Sequence, residues 1–257
     1  MAPPFIAYFG ALQDDAGGLA LLQVAYDQIR LYRDALFDAN VSLWRHIALG
    51  SLQDSGHWAT GTPQSLPHKK KKKKTGKERG GGALTLFDVG NGWAAAGIMR
   101  VLVTILRSNF ASQMESQQSD LTNWVDEILT GVWKYQVRGE RFPLCRRFRL
   151  RERAGAPQQE NGTLLNYVDQ PDSFADSSST ALLAATTFRY STLTGDVKHD
   201  TAAMEALDLV FNSIDNGGWL LNTVDPEAWS SQSQPGAHSP EGQSFVLLLA
   251  AAWQDYY

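Results

Sequence analysis

Apolar positions recur along this chain at intervals of three and four, in blocks separated by long polar and aromatic stretches. Over 18–39, Leu19, Leu22, Ala25, Tyr26, Ile29, Tyr32 and Leu36 fall on one broad face, which predicts an amphipathic helix. Over 119–137, Leu121, Trp124, Val125, Ile128, Leu129 and Trp133 repeat the pattern. The block 91–108 opens on Asn91, a residue suited to N-capping, and its alanines and Gly97 leave room for a neighbouring helix. Helices are further predicted over 176–193, which starts with the polar run DSSST, over 200–214, and over 241–256. The last is apolar nearly all round and therefore expected to be internal. Period-two alternation is scarce. The chain reads as all-α.

The connections at 42–61, 161–175 and 215–240 are long and rich in aromatic and polar residues. Stacked helical hairpins with functional loops gathered at one end are the architecture this spacing favours, because rigid helices support loops that carry a site. No repeat shows at the level of residue identity.

Composition narrows the class. With 257 residues, 43% of them hydrophobic, the chain can bury a substantial core as one large domain or two small ones. It lacks an apolar run of the ~20 residues a bilayer span needs, and its start, MAPPFIAYFGALQDD, lacks a basic n-region. The expectation is a soluble chain without a membrane partner. Cys145 stands alone, so neither an intrachain disulfide nor a cysteine metal site can form.

The net charge of −4 conceals an uneven distribution. Segments 62–90 and 137–159 together hold 15 of the 23 Lys and Arg residues but 4 of the 27 acidic ones, leaving the remainder strongly acidic. Such a surface repels nucleic acid, and no nucleic-acid partner is expected. The run of six lysines within 62–90 reads as a solvated loop, with a basic targeting patch as the rival reading.

Candidate chemistry concentrates between residues 43 and 97. There Trp44, Arg45, His46, Asp54, His57, Trp58 and Trp93 lie among glycines that permit sharp turns. Aromatic faces stack on pyranose rings, polar tips orient hydroxyls, and a carboxyl can move a proton, so the mixture suits a carbohydrate. Each aromatic also has a packing reading. Trp44, Trp58 and Trp93 serve a sugar or the core, and His46 binds substrate or braces a loop. His57, near the candidate acid, reads as solvent-exposed before catalytic. Asp172, Asp176 and the serines that follow read as caps for the next helix; Asp225, Glu227 and Glu241 could supply a second carboxylate but read as caps or surface groups. No metalloprotease, P-loop or nucleotide fingerprint occurs, and no metal or cofactor is expected.

Taken together, APPFIAYFGAL, LYRDALFD, LWRHI with the following GHWATG, NGWAAAGIMRVL, NGTLLNYVDQPDSFADSSSTALLAATTFRY and SPEGQSFVLLLAAAW resemble glycoside hydrolase families 88 and 105, closest to fungal members. The resemblance covers essentially the whole chain outside the two basic segments. It implies an (α/α)6 barrel with its site at the mouth of the inner helices, and an oligosaccharide substrate ending in a 4,5-unsaturated uronic acid. It further implies that an acid protonates C4 of the enol ether while water adds at C5, giving a hemiketal that opens and releases the sugar.

In the family pattern WATG runs into NGWAAAG, and KYQ into ENGTLLNY. Segments 62–90 and 137–159 therefore read as inserts, consistent with retained introns translated in frame. The whole chain, 1–257, is expected to be one (α/α)6 domain, incomplete at its N-terminus, where the family carries an upstream carboxylate. Asp54 matches the position of the catalytic acid, with Trp44, Arg45, His46, Trp58 and Trp93 as substrate-binding candidates. Bacterial members carry an arginine just before NGW, where this chain has Val89 or Gly61; either another group takes its role, with Arg45 as the candidate, or the substrate differs. The alternative is a catalytically inactive sugar-binding remnant or the product of a mis-predicted gene.

Overall fold

A computed structural model describes residues 2–46, 56–57, 59, 90–137, 162–225 and 228–257. Its helices are α1 (Ala2–Ala11), α2 (Ala16–Leu36), α3 (Asn91–Leu106), α4 (Glu115–Trp133), α5 (Ser177–Thr194), α6 (Asp200–Asn212) and α7 (Pro240–Tyr256). Two short antiparallel pairs accompany them: β1 (Phe37–Asp38) with β2 (Leu43–Trp44), and β3 (Val224–Asp225) with β4 (Ala228–Gln232).

The helices alternate between two layers. α1 packs on α2, α3 on α4 and α5 on α6, while α1, α3, α5 and α7 lie side by side in that order. These four form an inner row backed by α2, α4 and α6. The layers follow from the side chains. α5 is enclosed on nearly all sides, with Ser177 through Phe188 buried without a break. α2 and α4, by contrast, bury one stripe: Leu22, Ala25, Tyr26 and Ile29 on α2, and Leu121, Trp124, Val125 and Ile128 on α4. Across that outer layer Arg33 grips Glu127 with both of its carboxylate oxygens, at 2.8–3.0 Å, and lies over the rings of Phe37 and Trp124.

Because inner and outer helices alternate in direction, the inner helices all begin at one end. The connections at the opposite end are short, as between α5 and α6, where Gly195 closes α5 in the left-handed region (φ 73°). The long connections, which enter α3, α5 and α7, all meet at the other end.

Helix bounds follow the hydrophobic pattern with three differences. α1 has no counterpart in the periodicity reading; its Pro3 and Pro4 fall in the first turn, where a missing N–H costs nothing. α2 stops at Leu36 rather than continuing to 39, because Phe37 turns extended to pair with Trp44. α4 runs four residues ahead of the expected 119–137 at both ends, starting at Glu115 through a polar turn that carries no apolar signal and stopping at Trp133.

Segments 62–90 and 137–159 lie almost wholly outside the described residues. The described residues that flank them are in contact. The Gly92 N–H donates to the Ala59 carbonyl at 2.7 Å, while Val137 and Gly162–Thr163 exchange two backbone hydrogen bonds of 2.8 and 2.9 Å. The chain therefore leaves and re-enters the body at neighbouring points in both places. No helix among the described residues is long and apolar enough to cross a membrane.

A cavity of about 910 Å³ opens on the inner faces of α1, α3, α5 and α7, lined by Met99, Val103, Leu182 and Leu248 with Arg100 and Arg189. None of the sequence-derived site candidates among the described residues lines it. It belongs to the middle and C-terminal halves of the inner helices, away from the long loops.

Candidate functional site

The N-termini of α3, α5 and α7 converge beneath the long loops. At α3, Gly90 takes the N-cap position without a side-chain hydrogen bond, so Asn91 does not serve as the expected cap. Fully buried, Asn91 instead accepts the Trp44 N–H at 2.8 Å and donates to the Trp44 carbonyl at 3.1 Å. The β1–β2 turn is thereby tied to the start of α3. At α5, Asp176 is fully buried and accepts from the backbone N–H groups of Ser178 and Ser179, as a cap should, and also from Val224 at 3.3 Å. At α7, Ser239 caps the Gly242 N–H at 3.0 Å and Pro240 occupies the first turn.

Close packing brings these ends together. A Cβ at Gly92 would stand 3.0 Å from the Ala59 carbonyl and 3.2 Å from Leu182, and one at Gly242 would stand 3.0 Å from Thr223 and 3.2 Å from Ser178. Only glycine lets both starts approach α5 this closely.

Trp93, in the first turn of α3, is part-buried and meets the edge of Phe245 on α7 at 5.3 Å and 77°. Beside it lies Glu241, expected to cap α7 or face water. It does neither as a formed contact: its Oε1 is buried without a hydrogen bond, as is Trp93 Nε1. Burial pushes the Glu241 carboxyl up to about 7, the nearby Asp176 charge adds to the rise, and the Trp93 indole opposes it. A carboxyl that holds its proton close to neutrality can act as acid or base. The sequence carried no sign of this, since SPEGQ reads as an ordinary helix start.

The remaining candidates divide. Trp44 is 2% exposed and part of the core, which leaves no ring face open to a sugar. Its position between α3 and α4 makes it packing. His46 is equally enclosed, and its backbone N–H donates to the Gly56 carbonyl at 2.8 Å. Arg45 reaches the rim with a side chain 43% exposed, bound to Asp38 at 2.8 Å. The guanidinium holds the Asp38 carboxyl below the usual carboxylate range. Asp54 and Trp58 lie outside the described residues.

His57, expected at the surface, is instead buried between two carboxylates, with Nδ1 at 2.7 Å from Asp169 and Nε2 at 3.7 Å from Asp38. Its carbonyl also accepts the Val168 N–H at 3.0 Å. The residue thus straps the 162–176 loop to the β1–β2 turn. Among the described residues no cluster of histidine, cysteine and carboxylate groups could hold a metal ion.

No family model and no curated protein matches the sequence. Solved structures do. A possible family 105 member from Salmonella enterica superposes with a TM-score of 0.66 at 17% identity, covering 98% of this chain and 54% of its own. A family 88 glycosyl hydrolase from Bacteroides vulgatus gives 0.65 at 11% identity, with 99% and 60% covered. The fold is that of glycoside hydrolase families 88 and 105. A family 105 glycoside hydrolase from C. acetobutylicum agrees, at 0.60 and 11% identity, with 98% and 62% covered. The chain spans between about half and three-fifths of the length of these structures. Its two helical layers are thus an arc of the α/α toroid, and the inner-helix starts form one rim of that arc.

Proposed function

We propose that this chain is a carbohydrate hydrolase that acts on oligosaccharides ending in a 4,5-unsaturated uronic acid. The observation that carries the reading is the rim itself. In a fold shared with glycoside hydrolases, the starts of three inner helices bring a part-exposed tryptophan, Trp93, beside carboxyl groups, under loops that supply Arg45.

In this reading the Trp93 ring stacks on a sugar face, and the N–H groups of Arg45 not engaged by Asp38 grip the uronate carboxylate. Asp54, two residues along the chain from Gly56, serves as the general acid, with Trp58 completing the loop around the sugar and the buried His46 bracing that loop from behind. Asp54 gives its proton to C4 of the enol ether, water adds its oxygen to C5, and the proton water loses returns to the carboxylate. The hemiketal so formed opens to a keto sugar and releases the attached alcohol. No residue role in this sequence requires a cofactor.

The test is loss of the ultraviolet absorbance of the unsaturated uronate when the purified chain is incubated with pectin-lyase products. Turnover that vanishes in Asp54→Asn supports the assignment. Binding of the oligosaccharide without turnover leaves a sugar-binding protein, the second reading.

A further inference from the structure

We propose that Glu241 is a positioning residue for Trp93, holding the indole plane on which a sugar ring stacks; the inference rests on the sugar-stacking reading of Trp93. Two contacts come from one face of α7. Glu241 and Phe245 are four residues apart, one helical turn, and both face Trp93: the Phe245 ring lies 5.3 Å from the indole ring at 77°, and the buried Glu241 carboxyl is close enough for the indole N–H to favour its ionisation.

The polar contact is unfinished. Trp93 Nε1 and Glu241 Oε1 are each buried, and neither makes a hydrogen bond. A buried donor and a buried acceptor that lie side by side satisfy each other after a small movement, and leaving both unmade costs more than making the bond. Among the described residues, Asp176, the other carboxylate facing Glu241, is already occupied by Ser178, Ser179 and Val224. Closing the bond fixes the ring's rotation, and Phe245 fixes its tilt.

Charge governs how strongly the bond closes. An ionised carboxylate accepts from the indole more strongly than a neutral acid does. The groups set against this ionisation are the Asp176 carboxylate on α5 and the burial of the site; the Trp93 N–H on α3 favours it. The indole should therefore be held firmly above the Glu241 midpoint of about 7 and loosely below it.

The experiment follows the tryptophan emission and near-ultraviolet dichroism of the full 257-residue chain from mildly acidic to mildly alkaline pH, without ligand. A step centred at about 7 is expected in the wild type, absent in Glu241→Gln and absent in Trp93→Phe. In a second arm, Glu241→Gln, which keeps an acceptor oxygen, retains KM for the oligosaccharide within about threefold, whereas Glu241→Leu raises it about tenfold with kcat little changed. A wild type with no step, or a step that survives in Glu241→Gln, overturns the proposal. So does a KM that Glu241→Leu leaves untouched. Because the spectroscopic arm needs no substrate, a chain that shows the step but never turns over sugar defeats the function proposed above and leaves the Glu241–Trp93 coupling standing.

Discussion

Asn91 holds Trp44 through both of its backbone polar groups, accepting the N–H at 2.8 Å and donating to the carbonyl at 3.1 Å, with no solvent access at either partner's side chain beyond 2%. An asparagine side chain here does the work of a strand, bonding both backbone groups of Trp44 on the side away from its β1 partner Phe37. Asn91→Leu keeps the volume and removes both bonds, leaving a buried N–H and carbonyl unmatched. We expect a loss of roughly 2–4 kcal/mol in urea unfolding, with Asn91→Asp losing less because one acceptor remains.

Gly131 on α4 lies directly under the turn between β1 and β2. A Cβ there would stand 2.3 Å from the Ser42 carbonyl, and Ser42 itself already occupies the left-handed region at φ 60°. The turn cannot shift without lifting Trp44 from the core. Gly131→Ala should therefore destabilise the chain by roughly 2–3 kcal/mol despite alanine's higher helix propensity, measurable as a fall in the thermal midpoint.

The strap made by His57 predicts a loop phenotype. Asp169→Asn weakens the 2.7 Å contact to Nδ1, and His57→Ala removes it together with the 3.7 Å approach of Nε2 to Asp38. Both should cost about 1–3 kcal/mol and raise amide exchange in the 162–176 loop before any helix is affected. Exchange confined to α5 instead would show that the strap is not what holds the loop.

Glu241 also leaves a mark on stability. Its folded midpoint of about 7 lies above the unfolded value of 4.5, so between those values the folded chain binds more protons than the unfolded one. Its contribution is greatest below 4.5 and is lost as pH rises through about 7. Glu241→Gln removes this slope and should make the variant more stable than the wild type at mildly alkaline pH. The gain is on the order of 1–2 kcal/mol, reduced from the full shift because the residue keeps partial exposure.

The contacts between the flanks of the two basic segments make a further prediction. Ala59 meets Gly92, and Val137 meets Thr163, through backbone hydrogen bonds of their own. Deleting 62–89 or 138–159, which keeps Gly90 and Val137 in place, should leave the helical dichroism unchanged and raise the unfolding free energy by about 1 kcal/mol each, the closure entropy of a loop of that length being slight. Loss of cooperative unfolding in either deletion would show that the segment packs on the body.

The periodicity of apolar residues located six helices, because a helix that buries one stripe must display it at three-and-four spacing whatever it packs against. It also located the capping role of Asp176, a local hydrogen bond that the DSSST run specifies within a single turn. Tertiary structure decided the rest. Trp44 and Trp93 look alike in sequence, each a tryptophan beside polar neighbours. One is sealed between α3 and α4 and the other stands at the rim, since exposure depends on what the rest of the chain lays over a residue. Asn91 left its expected cap for a partner 47 residues away, and His57 found two carboxylates from separate loops. Glu241 changed most. Its raised midpoint comes from burial and from Asp176, a residue 65 positions earlier, and both arise only when α5 and α7 pack start to start.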